Sequence, residues 1–92
     1  MLKQHKGLGT TLTLPDEILQ RHLVAIGKGM RAAGANNTDV SQAEYDVALC
    51  RVAINLGWVP EFDIEEVAPA KVRWIVREVN QAVGAATIIP PE

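Results

Sequence analysis

Aromatic residues are scarce in this chain: its 92 residues include two tryptophans, one tyrosine and one phenylalanine. Aliphatic side chains must therefore supply most of a hydrophobic core. Cys50 is the single cysteine, which excludes an internal disulfide and fits a reducing compartment. No apolar run approaches the ~18 residues that a membrane-spanning helix needs, and no apolar signal core follows the basic N-terminus. We therefore expect a single small domain in the cytoplasm.

Residues that could carry catalysis or hold a metal are also sparse. His5 and His22 are far apart in the sequence, and no histidine or cysteine pair has the spacing of zinc ligands. No nucleophile can be paired with a general base. The glycines at 7 and 9 lack the lysine of a phosphate-binding loop, and no strand is predicted before them. We therefore predict no enzyme activity, no cofactor and no metal site.

The segment from Ser41 to Gly57 predicts a helix together with both of its ends. Ser41 and Glu44 have the spacing of a capping box, and Gly57 follows the last periodic residue, where a left-handed conformation can close the helix. Two apolar faces lie between these ends: Tyr45, Ala48, Leu49, Val52, Ala53 and Leu56 on one, and Ala43, Val47, Cys50 and Ile54 on the other. A helix that is apolar over most of its girth is expected inside a packing of other helices.

Two further helices are predicted, each opened by a proline at its first position. They cover residues 15–34 and 69–83, and the central helix covers 41–56. The whole is an all-α, three-helix domain over 15–84, with an extended arm at 1–14 and an extended Pro-rich tail at 85–92. Residues 10–14 are β-prone, so the arm can be an edge strand or an extended cover, and pairing with the tail is one arrangement we consider.

The charge is unevenly distributed along the chain. Residues 1–34 hold five basic and two acidic side chains, a net charge of +3, whereas residues 35–92 hold four basic and nine acidic ones, a net charge of -5. One interpretation is two ordinary solvated faces. The other is a dipolar surface that orients a partner or a neighbouring copy of the chain.

The candidate partner-binding residues are the remaining apolar side chains outside the clear helical stripes. They are Trp58, Phe62, Trp74, Ile88 and Ile89. Aromatic residues of this kind either complete a small core or anchor a partner, and the sequence leaves both interpretations open. The same alternatives apply to the isoleucine pair in the tail.

Four stretches give the chain a family resemblance: Leu14–Glu17, Ala53–Trp58, Asp63–Val67 and Val72–Val79. Their order, over residues 14–91, resembles small tail assembly chaperones and related morphogenesis proteins of tailed phages and prophages. The resemblance implies a non-enzymatic helical protein that acts in the host cytoplasm. Such a protein binds tape measure or tail tube subunits and keeps them from associating early. No site residue of the family corresponds to a numbered position here.

Two functional hypotheses follow. The first is a phage tail assembly protein that acts through protein–protein contact or self-association, without nucleic acid or a membrane. The alternative is a small helical DNA-binding regulator that contacts phosphate through Lys71, Arg73 and Arg77 or through the basic first third of the chain. Overall acidity and the lack of a row of base-reading side chains argue against the alternative.

Overall fold

A computed structural model of the chain describes residues 3–7, 9–35 and 37–87. Its elements, in order, are β1 (Lys3–Gly7), β2 (Thr10–Leu14), α1 (Gln20–Ala32), α2 (Gln42–Asn55), a 3₁₀ turn (Ile64–Glu66) and α3 (Pro69–Thr87). The all-α prediction is wrong, because β1 and β2 form a two-stranded antiparallel sheet beside the three helices of the described residues. The fold is a small α+β domain.

The N-terminal hairpin is part of the core, where an irregular arm was expected over residues 1–14. Lys3 pairs with Leu14 and Gly7 with Thr10, and Gly9 has the positive φ, 78°, that a tight turn accommodates. The alternation along β2 points Leu12 inward, and that side chain is completely buried. The expected edge strand at residues 10–14 is therefore confirmed, and its partner is β1.

The first strand escaped prediction for a physical reason. Its residues, Lys3 to Gly7, include no large apolar side chain, so no hydrophobic alternation marks them as a strand. The strand is held instead by its pairing with β2 and by a polar contact, in which the His5 imidazole Nδ1 lies 3.1 Å from Oε2 of Glu78 on α3. The tail that we considered as a partner for β2 lies, from residue 88 onward, outside the described residues.

The prediction for α2 is confirmed to within one residue at each end. The Ser41 hydroxyl accepts a hydrogen bond from the Glu44 backbone N–H at 3.2 Å, and Gly57 closes the helix with a φ of 79°. The Trp58 N–H donates to the Ala53 carbonyl and the Gly57 N–H to the Ile54 carbonyl, both at 3.0 Å. This pair of bonds is the Schellman motif. α2 packs against α1 and against α3, and it supplies the most buried residues of the three helices.

α1 begins five residues later than predicted. The chain runs non-helically from Pro15 to Leu19, with Ile18 packed against the core. The helix is then capped by a side chain from its own first turn, because the Leu19 N–H donates to Nδ1 of His22 at 2.9 Å. Pro15 is a local start signal, but it directly follows Leu14, which is fixed in the sheet. Tertiary structure overrides the local preference here.

α3 continues four residues beyond the predicted end, through Gly84 to Thr87. A glycine inside a helix costs about 1 kcal/mol relative to alanine, which reduces stability without forcing a stop. The core lies between α2, α3 and the hairpin. Its buried apolar residues are Leu12, Leu14, Met30, Ala35, Ala48, Leu49, Cys50, Val52, Ala53, Trp58, Val59, Ile64, Val72, Ile75, Val76 and Val79.

Candidate protein-binding groove

Trp58, the first of the predicted partner-binding residues, lies in the core. It is 6% exposed, and its ring meets that of His22 edge to face, with centroids 5.6 Å apart. Its backbone carbonyl accepts a hydrogen bond from the Thr13 N–H at 2.7 Å, which connects β2 to the end of α2. Trp58 therefore joins β2, α1 and the end of α2.

The other two predicted aromatic anchors are half-buried and lie against different elements. The Lys71 ammonium lies 4.3 Å from the centroid of the Phe62 ring, a cation–π contact at the start of α3. Trp74 covers β1, because a Cβ built on Gly7 would come within 2.9 Å of its indole. Residues 88 and 89, where the predicted Ile88 and Ile89 anchors fall, lie outside the described residues.

An open, mainly apolar groove with a volume of about 590 Å³ lies between α1 and α2. Its walls consist mainly of small side chains. They are Gly29, Ala32 and Ala33 on α1, and Ala43, Val47, Ala48 and Val52 on α2. Because these side chains are short, the backbone of a helix placed in the groove would lie close to α1 and α2, as in helix-in-groove recognition.

The groove exists because the two helices touch closely at one point. At Gly29 the missing side chain leaves room for Val52, since a Cβ at position 29 would lie 2.5 Å from the Val52 Cγ2. Beyond this contact the facing residues, Ala32 and Ala43, are too short to fill the space and are exposed. The close contact therefore fixes the helices, and the alanines leave the gap between them open.

A second depression of about 290 Å³ continues the groove across α2 toward α3. It shares Ala43, Val47 and Glu65 with the first one, and the apolar side chains of Ile64, Val67, Pro69 and Val72 complete its lining. Together the two depressions, here called the α2 groove, form one apolar strip along α2 from Ala43 to Asn55.

Charged groups at the α2 groove are few and mostly acidic. Glu44 and Glu65 line it together with two bases, Arg51 in the first depression and Arg73 in the second. Asp46, which lines the second depression, is buried and accepts a hydrogen bond from the Gln42 amide at 2.8 Å. Nε of Arg73 lies 4.0 Å from the same carboxylate. An incoming segment would thus meet an apolar floor with carboxylates along its edge.

The sequence placed Ala43 and Val47 on a second apolar face of the central helix, and an apolar groove between helices was not assigned to that face. That face was expected to pack against another helix, whereas Ala43 is exposed and Val47 half-buried. The available signal was the coincidence of short residues, with alanines at the end of the first helix and again at the start of the second. Sequence alone does not show that these two ends face each other.

The Cys50 thiol is buried in the core. Burial raises the pKa of the Cys50 thiol from 9.0 to about 11, although Lys71 and Arg51 oppose the rise. The thiol therefore stays protonated at neutral pH and is a poor nucleophile. Within the described ranges, no three histidine, cysteine or acidic side chains gather as metal ligands would, and none of the helices is both long and apolar enough to cross a bilayer.

The basic residues of α3 are partly engaged with the rest of the chain. Lys71 lies over Phe62 and Arg73 approaches Asp46, while Arg77 is exposed beside the half-buried Glu78. This arrangement does not single out a phosphate-binding surface on α3. Comparison with protein-family models, curated protein sequences and solved structures finds no match for this chain.

Proposed function

We propose that this chain is a non-enzymatic protein-binding domain that receives an amphipathic helix of its partner in the α2 groove. The observation that carries the proposal is an open apolar strip on an otherwise compact small domain. Apolar concavities with few polar groups are the common form of binding sites. The groove also has the features of helix-in-groove recognition, a hydrophobic floor with charged edges.

The location of the two tryptophans favours the α2 groove as the binding site over the aromatic anchors predicted from the sequence. Trp58 serves the core, and Trp74 covers the hairpin. Using either ring as an anchor would uncover apolar surface inside the domain. The α2 groove is open as it stands, so a partner can bind there without unfolding anything.

A narrower proposal identifies the partner as a phage tail component, tail tube or tape measure protein, bound in the host cytoplasm before assembly. Its support is the sequence resemblance over residues 14–91. The structure adds a surface of a kind that such a function requires. The two levels of the proposal are tested separately by which proteins bind and by whether they need the groove.

The test uses two matched arginine substitutions. Ala43 and Ala70 are both exposed, and each is the second residue of its helix. Ala43→Arg places a long charged side chain in the α2 groove, whereas Ala70→Arg makes the same change at a residue that lines neither depression. Any cost to helix propensity or to the helix dipole is therefore similar in the two variants.

Tagged wild type and both variants are co-expressed with the proteins encoded beside the gene, and the bound proteins are quantified after purification. We expect wild type and Ala70→Arg to retain a partner. The amount of partner recovered with Ala43→Arg should be at least about tenfold lower, because the arginine blocks a central position of the interface. Equal retention by Ala43→Arg would show that the groove is not the site. No retention by any of the three would contradict the function, and a partner outside the tail proteins would contradict only the narrower version.

A further inference from the structure

The outer face of α1 combines an exposed valine, Val24, with basic side chains, and it adjoins the α2 groove at Ala32. Among the described residues, the exposed large apolar side chains are Leu19, 40% exposed, and Val24, 44% exposed. Both belong to the start and first turns of α1. Gly27, one turn after Val24, has open space where a side chain would be. α1 buries Met30 and packs Ile26 against the core, whereas Val24 stays exposed on its outer face.

Basic side chains follow this face at helical spacing. Arg21, Val24, Lys28 and Arg31 recur at steps of three, four and three, so they form one stripe, and all four are exposed. Gly29, Ala32 and Ala33 line the groove instead. α1 contains no acidic residue, so nothing on the helix offsets the three positive charges.

The α2 groove has a charge opposite in sign to that of this face, because Glu44, Asp46 and Glu65 line it against Arg51 and Arg73. It offers an apolar floor at Ala43 and Val47, with Glu44 and Glu65 along its length. The net charge of the whole chain is divided in the same sense: it is +3 over residues 1–34, which include α1, and -5 over residues 35–92, which include α2. Opposite charges on two surfaces of one molecule attract copies of that molecule to each other and fix their orientation.

We propose that the α2 groove of one copy receives the outer face of α1 of a second copy. This proposal rests on the proposed function, since it names the helix that the groove binds. Val24 contacts the groove floor near Ala43, and Arg21, Lys28 and Arg31 lie along the carboxylates of Glu44 and Glu65. Salt weakens the contact, because its charged edge remains near solvent.

The contact is heterologous, since the groove and the outer face are different surfaces of the same chain. Each copy therefore has one donor surface and one acceptor surface, and copies join head to tail. Such contacts build rings if the rotation closes and open filaments if it does not. If the rotation closes after two copies, the ring is a two-fold dimer in which each groove holds the α1 helix of the other copy.

Two variants that each block one surface test the arrangement. Val24→Glu replaces the apolar centre of the outer face with a carboxylate, and Ala43→Arg blocks the groove with a cation. Gln81→Glu on α3 is the control for Val24→Glu, because it adds the same charge at an exposed position that lines neither part of the groove. Ala70→Arg is again the control for Ala43→Arg.

The measurement is sedimentation velocity of the purified protein over a concentration series up to ~1 mM, the range in which weak contacts become populated. We expect wild type and both controls to increase in mass with concentration, and less so at high salt. Val24→Glu and Ala43→Arg should each stay at 10.0 kDa, the mass of one chain. An equimolar mixture of these two should form a species of twice that mass and no larger, because each retains one intact surface.

Three results would overturn the proposal: wild type that stays monomeric throughout, a mixture that stays monomeric, or a dimer that Val24→Glu forms by itself. These outcomes are separate from a failure of the proposed function. If wild type is monomeric but still retains a partner that Ala43→Arg loses, the groove binds protein and the second copy is the wrong occupant. If both experiments are negative, the groove is not a binding site.

Discussion

Two glycines in α1 provide a sharp test of how α1 and α2 pack. Gly27 has nothing within 4 Å of the position a Cβ would take, whereas at Gly29 that position is 2.5 Å from Cγ2 of Val52. Alanine is favoured over glycine inside a helix by about 1 kcal/mol. Gly27→Ala should therefore raise the free energy of unfolding by about 1 kcal/mol, which corresponds to about 4–8 °C in Tm for a domain of this size.

Gly29→Ala gains the same helix propensity, but its new Cβ must displace the Val52 side chain. That side chain is buried, and as a β-branched residue in a helix it has one strongly preferred rotamer. Overpacking of this kind costs about 1–3 kcal/mol. Because the propensity gain is common to both variants, it cancels in their difference, so Gly29→Ala should be about 1–3 kcal/mol less stable than Gly27→Ala. Urea unfolding followed by circular dichroism measures both.

A double-mutant cycle isolates the contact itself. Val52→Ala removes the methyl group that the new Cβ would meet, so adding Gly29→Ala in that background should become stabilising, approaching the ~1 kcal/mol of the propensity gain. If Gly29→Ala stabilises the wild-type background as much as Gly27→Ala does, the helices do not approach closely at this point. The explanation for the open groove beyond it would then fail too.

Three other outcomes follow from the same contacts. Leu12→Ala should cost about 2–5 kcal/mol in unfolding free energy, because a completely buried leucine of the hairpin is truncated; a loss below 1 kcal/mol would mean that the hairpin is not part of the core. Ser41→Ala should cost about 1 kcal/mol through loss of the α2 cap, and Ser41→Asp should restore it. Cys50 should react with a thiol reagent at pH 8 only after unfolding, and stability should fall as the pH rises from 9 toward 11, since the folded state holds the thiol proton more tightly than the unfolded chain.

Local sequence signals were sufficient to predict α2 but not to predict the elements of the N-terminal part of the chain. The capping serine, the two apolar faces and the closing glycine of α2 all act within a few residues of each other, so the sequence predicted its bounds closely. β1 has no local signal because its residues are polar and are held by pairing with β2. Pro15 gave a misleading signal because the chain leaves a buried strand at Leu14 and starts its helix only at Gln20.

The candidate site was harder to predict than the elements that form it. Aromatic residues attracted attention because they often anchor interfaces, yet Trp58 is needed for the core. The groove instead arises from small side chains. Ala32 and Ala43 line it, and the nearby Gly29 lets α1 and α2 approach closely. Such an arrangement depends on contacts between residues far apart in the sequence, which a pattern along the chain does not encode.

The residues that open the groove also limit how well α1 is held. α1 buries Met30, packs Ile26 against the core, and contacts its neighbours where Gly29 meets Val52 and where His22 meets Trp58. Longer side chains at Ala32 and Ala43 would bury more apolar area within the chain, but they would occupy the space that the partner helix needs. Gly27→Ala differs from such changes, because it gains stability outside the groove. Natural proteins are rarely at their stability optimum, so a longer side chain at Ala32 or Ala43 should raise stability while it blocks the proposed binding site.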